Sequence, residues 1–292
     1  MENTEILDIK ESGFDYKTKN GYVYLLEQID SKRKATINNS YKVDGKICKT
    51  MIGAETMFNK SISSITVDAI CAPNSSAIFR GLDNLKELNI KHLDTKNVKT
   101  FSHLFRYCIS LKKVDFGNLD TGSLTNMHGM FYGCKSLEEI NLKSFDTRHV
   151  KSFRGLFSGC RSLKRLDLSS LRTDNVIDMT LMFSNCEKIE SLDLSLFDTR
   201  KTKEMSYLFH GCKNLKSIKF GNFCTENALE MSSMFSDCDS IRSLDLSSFT
   251  VDSGKHIGML FENCKRLEKI KFGDKWNLDD QTMKIITKDI LL

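Results

Sequence analysis

The chain has 292 residues, of which 40% are hydrophobic and 28% charged, with a formal net charge of +5. That balance excludes a disordered or collagen-like chain, and no apolar run approaches the roughly 18 residues that a membrane-spanning helix needs. Basic and acidic residues are interspersed, ten of each in residues 1–78, which argues against the dense basic stripe of a nucleic-acid-binding protein.

The first segment, MENTEILDIKESGFDYKTKN, is polar and mixed in charge, with no basic region leading into an apolar stretch. No signal peptide is expected there. YVYLLEQI (22–29) and SSITVDAI (63–70) are predicted strands, the second joining the sheet that follows. Between them SKRKATINNSYKVDGK carries an Asp44-Gly45 turn signal and is expected to form a hairpin. Residues 1–78 thus read as an N-terminal cap.

Seven cysteines then fall at one spacing: Cys108, Cys134, Cys160, Cys186, Cys212, Cys238 and Cys264, each 26 residues after the last. Three residues before each stands a phenylalanine, from Phe105 and Phe131 through to Phe261. Six and eight residues after each come apolar residues, such as Ile140 and Leu142. One further rung precedes these, with Leu82 in the cysteine's place, Phe79 before it, and Leu88 and Ile90 after it. A fixed period of this size marks a solenoid, in which no single repeat can bury its own apolar face.

Within a rung, SLEEINLKSF puts Ile140 and Leu142 at period two, which predicts a short strand with one face inward. NMHGMFYGC puts Met127, Met130, Phe131 and Cys134 at i, i+3, i+4 and i+7, which predicts a short helix. The expected fold class is therefore α/β: a solenoid over 79–275 with a stacked parallel sheet on one face, short helices on the other, and caps at both ends.

Asp94-Thr95, Asp120-Thr121, Asp146-Thr147 and Asp198-Thr199 lie between strand and predicted helix; Thr173 and Thr225 continue the threonine, and Val251 ends it. The near-isosteric valine predicts a buried position at which a hydroxyl satisfies a backbone group at the bend. The aspartates read as turn caps rather than a cation ladder, because Arg172, Cys224 and Thr250 replace them without another carboxylate. The cysteines read as small buried hydrophobes. Disulfides are a rival reading that seven thiols cannot complete; zinc is another, and it needs converging ligands.

At the C-terminus, residues 276–292 are expected to form a capping helix. DDQTMKIITKDILL places Met283, Ile286 and Ile290 or Leu291 on one face, with Asp279 or Asp280 as N-cap and Trp276 closing the last rung.

The solvent face of the strands is the candidate binding surface. Its central column reads Asn89, Asp115, Asn141, Asp167, Asp193, Lys219, Asp245 and Lys271, with Lys113, Glu139 and Arg165 beside it. Strands about 4.8 Å apart make this face roughly 35 Å long, which suits a protein or peptide. An adjacent column, from Lys86, Lys112 and Glu138 to Glu268, largely alternates in sign and reads as solubilising charge that fixes register.

The six histidines are scattered, and no HExxH, GxSxG or phosphate loop occurs, so no catalytic, cofactor or metal site is expected. Cys48, Cys71 and Cys224 fall outside the ladder; an exposed, reactive thiol is one reading of Cys224.

The phrase MFxxCxSLxxIxLxxFDTxxV resembles the BspA-like leucine-rich repeat family of bacterial and protozoan surface proteins, over residues 79–272. SITVDAICAPNSSAIFRGLDNLKEL resembles that family's usual entry into its array. The resemblance implies a leucine-rich-repeat solenoid without cofactor that binds proteins, often in adhesion to host or neighbouring cells; with no catalytic motif, the chain is expected to be a non-enzymatic interaction protein at the cell surface or after secretion. Many bacterial members carry an export signal or wall anchor, and neither is visible here. The alternative is an intracellular specificity factor that sequesters a protein partner, favoured by that absence and by the many unpaired thiols. Neither reading involves nucleic acid or membrane insertion, and oligomeric state is left open.

Overall fold

Each rung is closed by hydrogen bonds to its neighbours alternating with turns within itself. The computed structural model describes residues 7–252 and 255–286. In a typical rung, the N–H groups of His103, Phe105 and Tyr107 donate to the carbonyls of His128, Met130 and Tyr132 in the next rung, at 2.7–2.8 Å. The alternate N–H groups, of Leu104, Arg106 and Cys108, close turns on Phe101, His103 and Phe105 at 3.0–3.1 Å.

This arrangement replaces the predicted helices. Every rung carries left-handed backbone at two positions four apart: φ is 58° and 63° at His103 and Tyr107, 57° and 73° at Gly129 and Gly133, 61° and 56° at Leu181 and Asn185. A left-handed residue swings alternate N–H groups out of the helical path and toward the adjacent rung, so no helix can propagate. The apolar stripe of Met127, Met130, Phe131 and Cys134 still points inward, and all four are fully buried. Among the described residues the one α-helix is α1, Asp280–Ile286, outside the repeats.

The cap contributes strands β1 (Phe14–Lys19), β2 (Tyr22–Gln28), β3 (Lys34–Ile37), β4 (Ser40–Val43), β5 (Lys46–Ile52), β6 (Ser64–Val67) and β7 (Ile70–Cys71). β4 and β5 form the expected hairpin, with φ of 49° and 78° at Asp44 and Gly45. A second hairpin, β1–β2, turns at Asn20-Gly21 with φ of 52° and 79°, and Asn-Gly is a strong local hairpin signal. β6 pairs in parallel with β3 on one side and with β8 (Glu87–Asn89), the first strand of the array, on the other. As expected, segment 63–70 joins the array sheet.

Further along come β9 (Ser191–Asp193), β10 (Ser217–Lys219), β11 (Ser243–Leu246), β12 (Val251–Asp252), β13 (Lys269–Phe272) and β14 (Trp276–Asn277). The strand-side ladder is in pieces: β9 pairs with β10, and β11 with β13, all parallel. On the other side, parallel bridges run unbroken from Asn74 through Thr100, Asn126, Ser152, Asp178, Glu204 and Glu230 to His256.

The core is a set of one-residue-per-rung columns. Phe58 of the cap, then Phe79, Phe105, Phe131, Phe157, Phe183, Phe209, Phe235 and Phe261, stack ring on ring with centroids 5.3–6.0 Å apart. Each such pair contributes about 0.5–1.5 kcal/mol beyond the burial of its area. The seven ladder cysteines are buried beside this stack as free thiols. The threonine column is buried as expected, and its hydroxyls bond the next rung: Thr173 Oγ1 donates to Asp198 O at 3.0 Å and accepts from Asp198 N at 2.8 Å. At the far end, Trp276 Nε1 donates to Leu246 O at 3.2 Å, and Asp279 caps α1 by accepting from Thr282 N at 2.8 Å. Ile290 and Leu291, placed on that helix's apolar face above, lie outside the described residues.

Candidate partner-binding face

All of the residues assigned above to the partner-binding face are exposed on the strand side. The fold already uses most of them. Asn89, Asp115, Asn141, Asp167, Asp193 and Asp245 each accept the backbone N–H two residues on, at 2.9–3.4 Å, and so cap the turn that ends their strand segment. Asp94, Asp120, Asp146 and Asp198 do the same at the following bend, which is the turn-capping role read for them.

Lys219 and Lys271 pair with the aspartates one rung earlier, at 3.1 Å to Asp193 and 3.0 Å to Asp245. The Ser195 hydroxyl and N–H, with Lys219, hold the Asp193 carboxyl down at about 2; Ser247 and Lys271 do the same for Asp245. The sign-alternating column is likewise paired across rungs, Lys112 with Glu138, Lys216 with Glu190 and Arg242 with Glu268. Exposed pairs of this kind contribute about 0–1 kcal/mol each and serve register more than stability.

Lys113, Glu139 and Arg165 differ. They occupy one column over three successive rungs, and none has a hydrogen bond or ion pair within the described chain. Over the same three rungs the strand ladder is absent apart from the Asn89–Asp115 bridge and the bond from Glu138 N to Lys112 O at 2.9 Å. The residues free to meet a partner are therefore fewer than the spacing alone suggested, and they are clustered.

The other candidate features do not assemble chemistry. The cap has an open cleft lined by Phe14, Gln28, Asp30, Lys34 and Tyr41 among others, without a histidine or cysteine in its wall. Among the described residues no three His, Cys, Asp or Glu side chains converge to hold a metal ion, and no helix is long and apolar enough to cross a membrane. Cys48 and Cys224 are partly exposed, whereas Cys71 is buried, and burial pushes its thiol up to about 12.

A family model described as "Mycoplasma protein of unknown function, DUF285" matches residues 41–113, 73–192 and 178–288. The chain belongs to that family. In this DUF285 chain the overlapping matches run without a gap from β4 in the cap to just past α1. No curated protein matches it significantly.

Solved structures similar to the DUF285 chain include a leucine-rich repeat protein from Bacteroides ovatus, 16% identical, with a TM-score of 0.49 over 89% of this chain and 70% of that one. A leucine rich cell surface protein from Faecalibacterium prausnitzii is 14% identical, with a TM-score of 0.39 over 94% and 96%. The leucine rich repeat protein of T. pallidum is 15% identical, with a TM-score of 0.37 over 81% and 91%. The 26-residue repeat that resembles the BspA-like family is consistent with three overlapping matches of one family model along the chain. The solenoid itself rests on the chain's own hydrogen-bond ladders.

Proposed function

We propose that the chain is a non-enzymatic protein-binding solenoid that presents its strand face to a protein partner, as an adhesion or host-contact protein at the cell surface or after secretion. The observation that carries the reading is the column of Lys113, Glu139 and Arg165. These three exposed charged side chains are not engaged by the fold, and they stand on a face long enough for a protein or peptide. Solenoids bind through such exposed columns because the stacked core leaves the surface positions free to differ from rung to rung.

The unpaired thiols are one support for the alternative, an intracellular specificity factor. A thiol held protonated by burial is unreactive, so the ladder cysteines do not favour either compartment.

Labelled full-length chain would be applied to intact candidate target cells, alongside a Lys113→Glu, Arg165→Glu variant. Saturable binding that the variant loses while melting like the parent supports the reading. Equal binding by both removes this column from the interface. Protease shaving of intact producing cells, with detection in surface, medium and lysate fractions, tests the location separately.

A further inference from the structure

Over residues 98–240 the face opposite the strands is polarised along the solenoid. Its turn-bearing stretches 98–110, 124–136 and 150–162 hold six cations and no carboxylate. The next three, 176–188, 202–214 and 228–240, hold six carboxylates against three lysines. The unbroken bridges from Asn74 to His256 keep both halves on one continuous face. At their border the halves already meet, with Arg154 3.8 Å from Asp178 and Arg161 3.4 Å from Glu187. Away from it, Lys99, Lys135 and Lys151 have no ion pair within the described residues.

The same face carries most of the apolar surface that the array leaves in water. Among the described residues from 79 onward, the exposed large apolar side chains are Tyr107, Ile177, Leu196, Tyr207, Leu229 and Met259, and all but Leu196 lie on it. Tyr107, Tyr207 and Met259 adopt φ of 63°, 59° and 56° at positions where other rungs place glycine. The turns require left-handed backbone there in every rung, and bulky residues hold it at a cost that glycine avoids. On the basic half, Arg106 is held between the rings of Tyr107 and Tyr132, 5.0 and 4.7 Å from their centroids. Gly133 leaves the space that the Tyr107 ring fills. Aromatic residues and arginine set among apolar ones are the composition of a protein interface. A polyanion would be repelled by half of this face.

We infer that the turn face docks a second copy of this chain. Two copies pack turn face to turn face, antiparallel about a two-fold axis near the border of the halves, so that the basic half of each lies on the acidic half of the other. Such an interface uses one self-complementary patch on both subunits. It sets Lys99 and Arg106 of one copy opposite Glu230 and Asp237 of the other. Both strand faces remain open, so the dimer would be bivalent for whatever they bind.

Light scattering on the eluting full-length chain tests this. The expected mass rises with concentration from 33.4 kDa toward twice that value at low ionic strength, and falls back in high salt. Lys99→Glu with Arg106→Glu, and Glu230→Lys with Asp237→Lys, should each yield monomers that melt like the parent. Mixing the two should restore the dimer, because both contacts are then complementary again. Lys99→Glu with Lys151→Glu replaces the first variant if Arg106 proves necessary for folding. A parent that stays monomeric at every concentration overturns the inference, as does a dimer that survives in either variant. A mixture of folded variants that remains monomeric overturns it too.

Discussion

The thiol of Cys160 donates to the main-chain carbonyl of Phe131, 29 residues earlier in the preceding rung, at 3.2 Å. That carbonyl also accepts the N–H of Cys134, at 3.1 Å. The other six ladder cysteines repeat the contact at 2.9–3.2 Å, from Cys108 on Phe79 to Cys264 on Phe235. A small apolar side chain with one weak donor fits a site that is tight and faces a carbonyl. Alanine lacks the donor, and leucine lacks both donor and fit.

Cys160→Ala should therefore lower stability by about 1–2 kcal/mol, from one weak bond and a cavity of roughly methyl size. Cys160→Leu should cost about 1–3 kcal/mol by overpacking against Cys134 and Cys186. Urea unfolding midpoints measure both. An alanine variant as stable as the parent would show that the contact contributes nothing.

Thr173→Val keeps the shape and removes the hydroxyl. Asp198 would lose partners for both its N–H and its carbonyl, a loss of about 2–6 kcal/mol at about 1–3 kcal/mol for each group left unsatisfied. Thr173→Ser, which retains the hydroxyl, should cost less. The order of the two unfolding midpoints decides the point; a valine variant at least as stable as the serine variant would refute the bonding role.

Thiol labelling of the native chain should reach Cys48 and Cys224 alone, and all ten cysteines after denaturation. Mass spectrometry after brief exposure to a maleimide reads this directly. Rapid labelling of Cys160 or Cys186 in the native state would contradict the closed core.

Alkaline pH should unfold the chain cooperatively. Burial pushes the thiols of Cys108, Cys212 and Cys264 up to about 12 from 9.0, and raises those of Cys134, Cys160, Cys186 and Cys238 well above it. The folded chain thus holds protons that the unfolded chain releases. Its advantage is complete below pH 9.0 and is lost as pH rises through 12. The slope is about 1.4 kcal/mol per pH unit for each thiol. Denaturant midpoints that stay level across this window would mean that the thiols ionise in place.

The sequence by itself determined the period, the identity of the core columns, the Asp44-Gly45 hairpin, the capping aspartates and the buried threonines. These depend on composition and local spacing: alternation, a turn dipeptide, a carboxylate two residues before an N–H. Tertiary structure alone decided the form of the turn-bearing face. The stripe of Met127, Met130, Phe131 and Cys134 fits a helix and equally fits two turns with left-handed residues at 129 and 133. Glycines four apart, Gly129 with Gly133 and Gly155 with Gly159, were the one local hint, and bulky residues such as Leu181 and Tyr207 hide it in other rungs. The choice between the two conformations turns on where each N–H finds its acceptor. For Phe105 that acceptor is Met130 O, 2.8 Å away and 25 residues on, and it comes within reach only once the rungs have stacked.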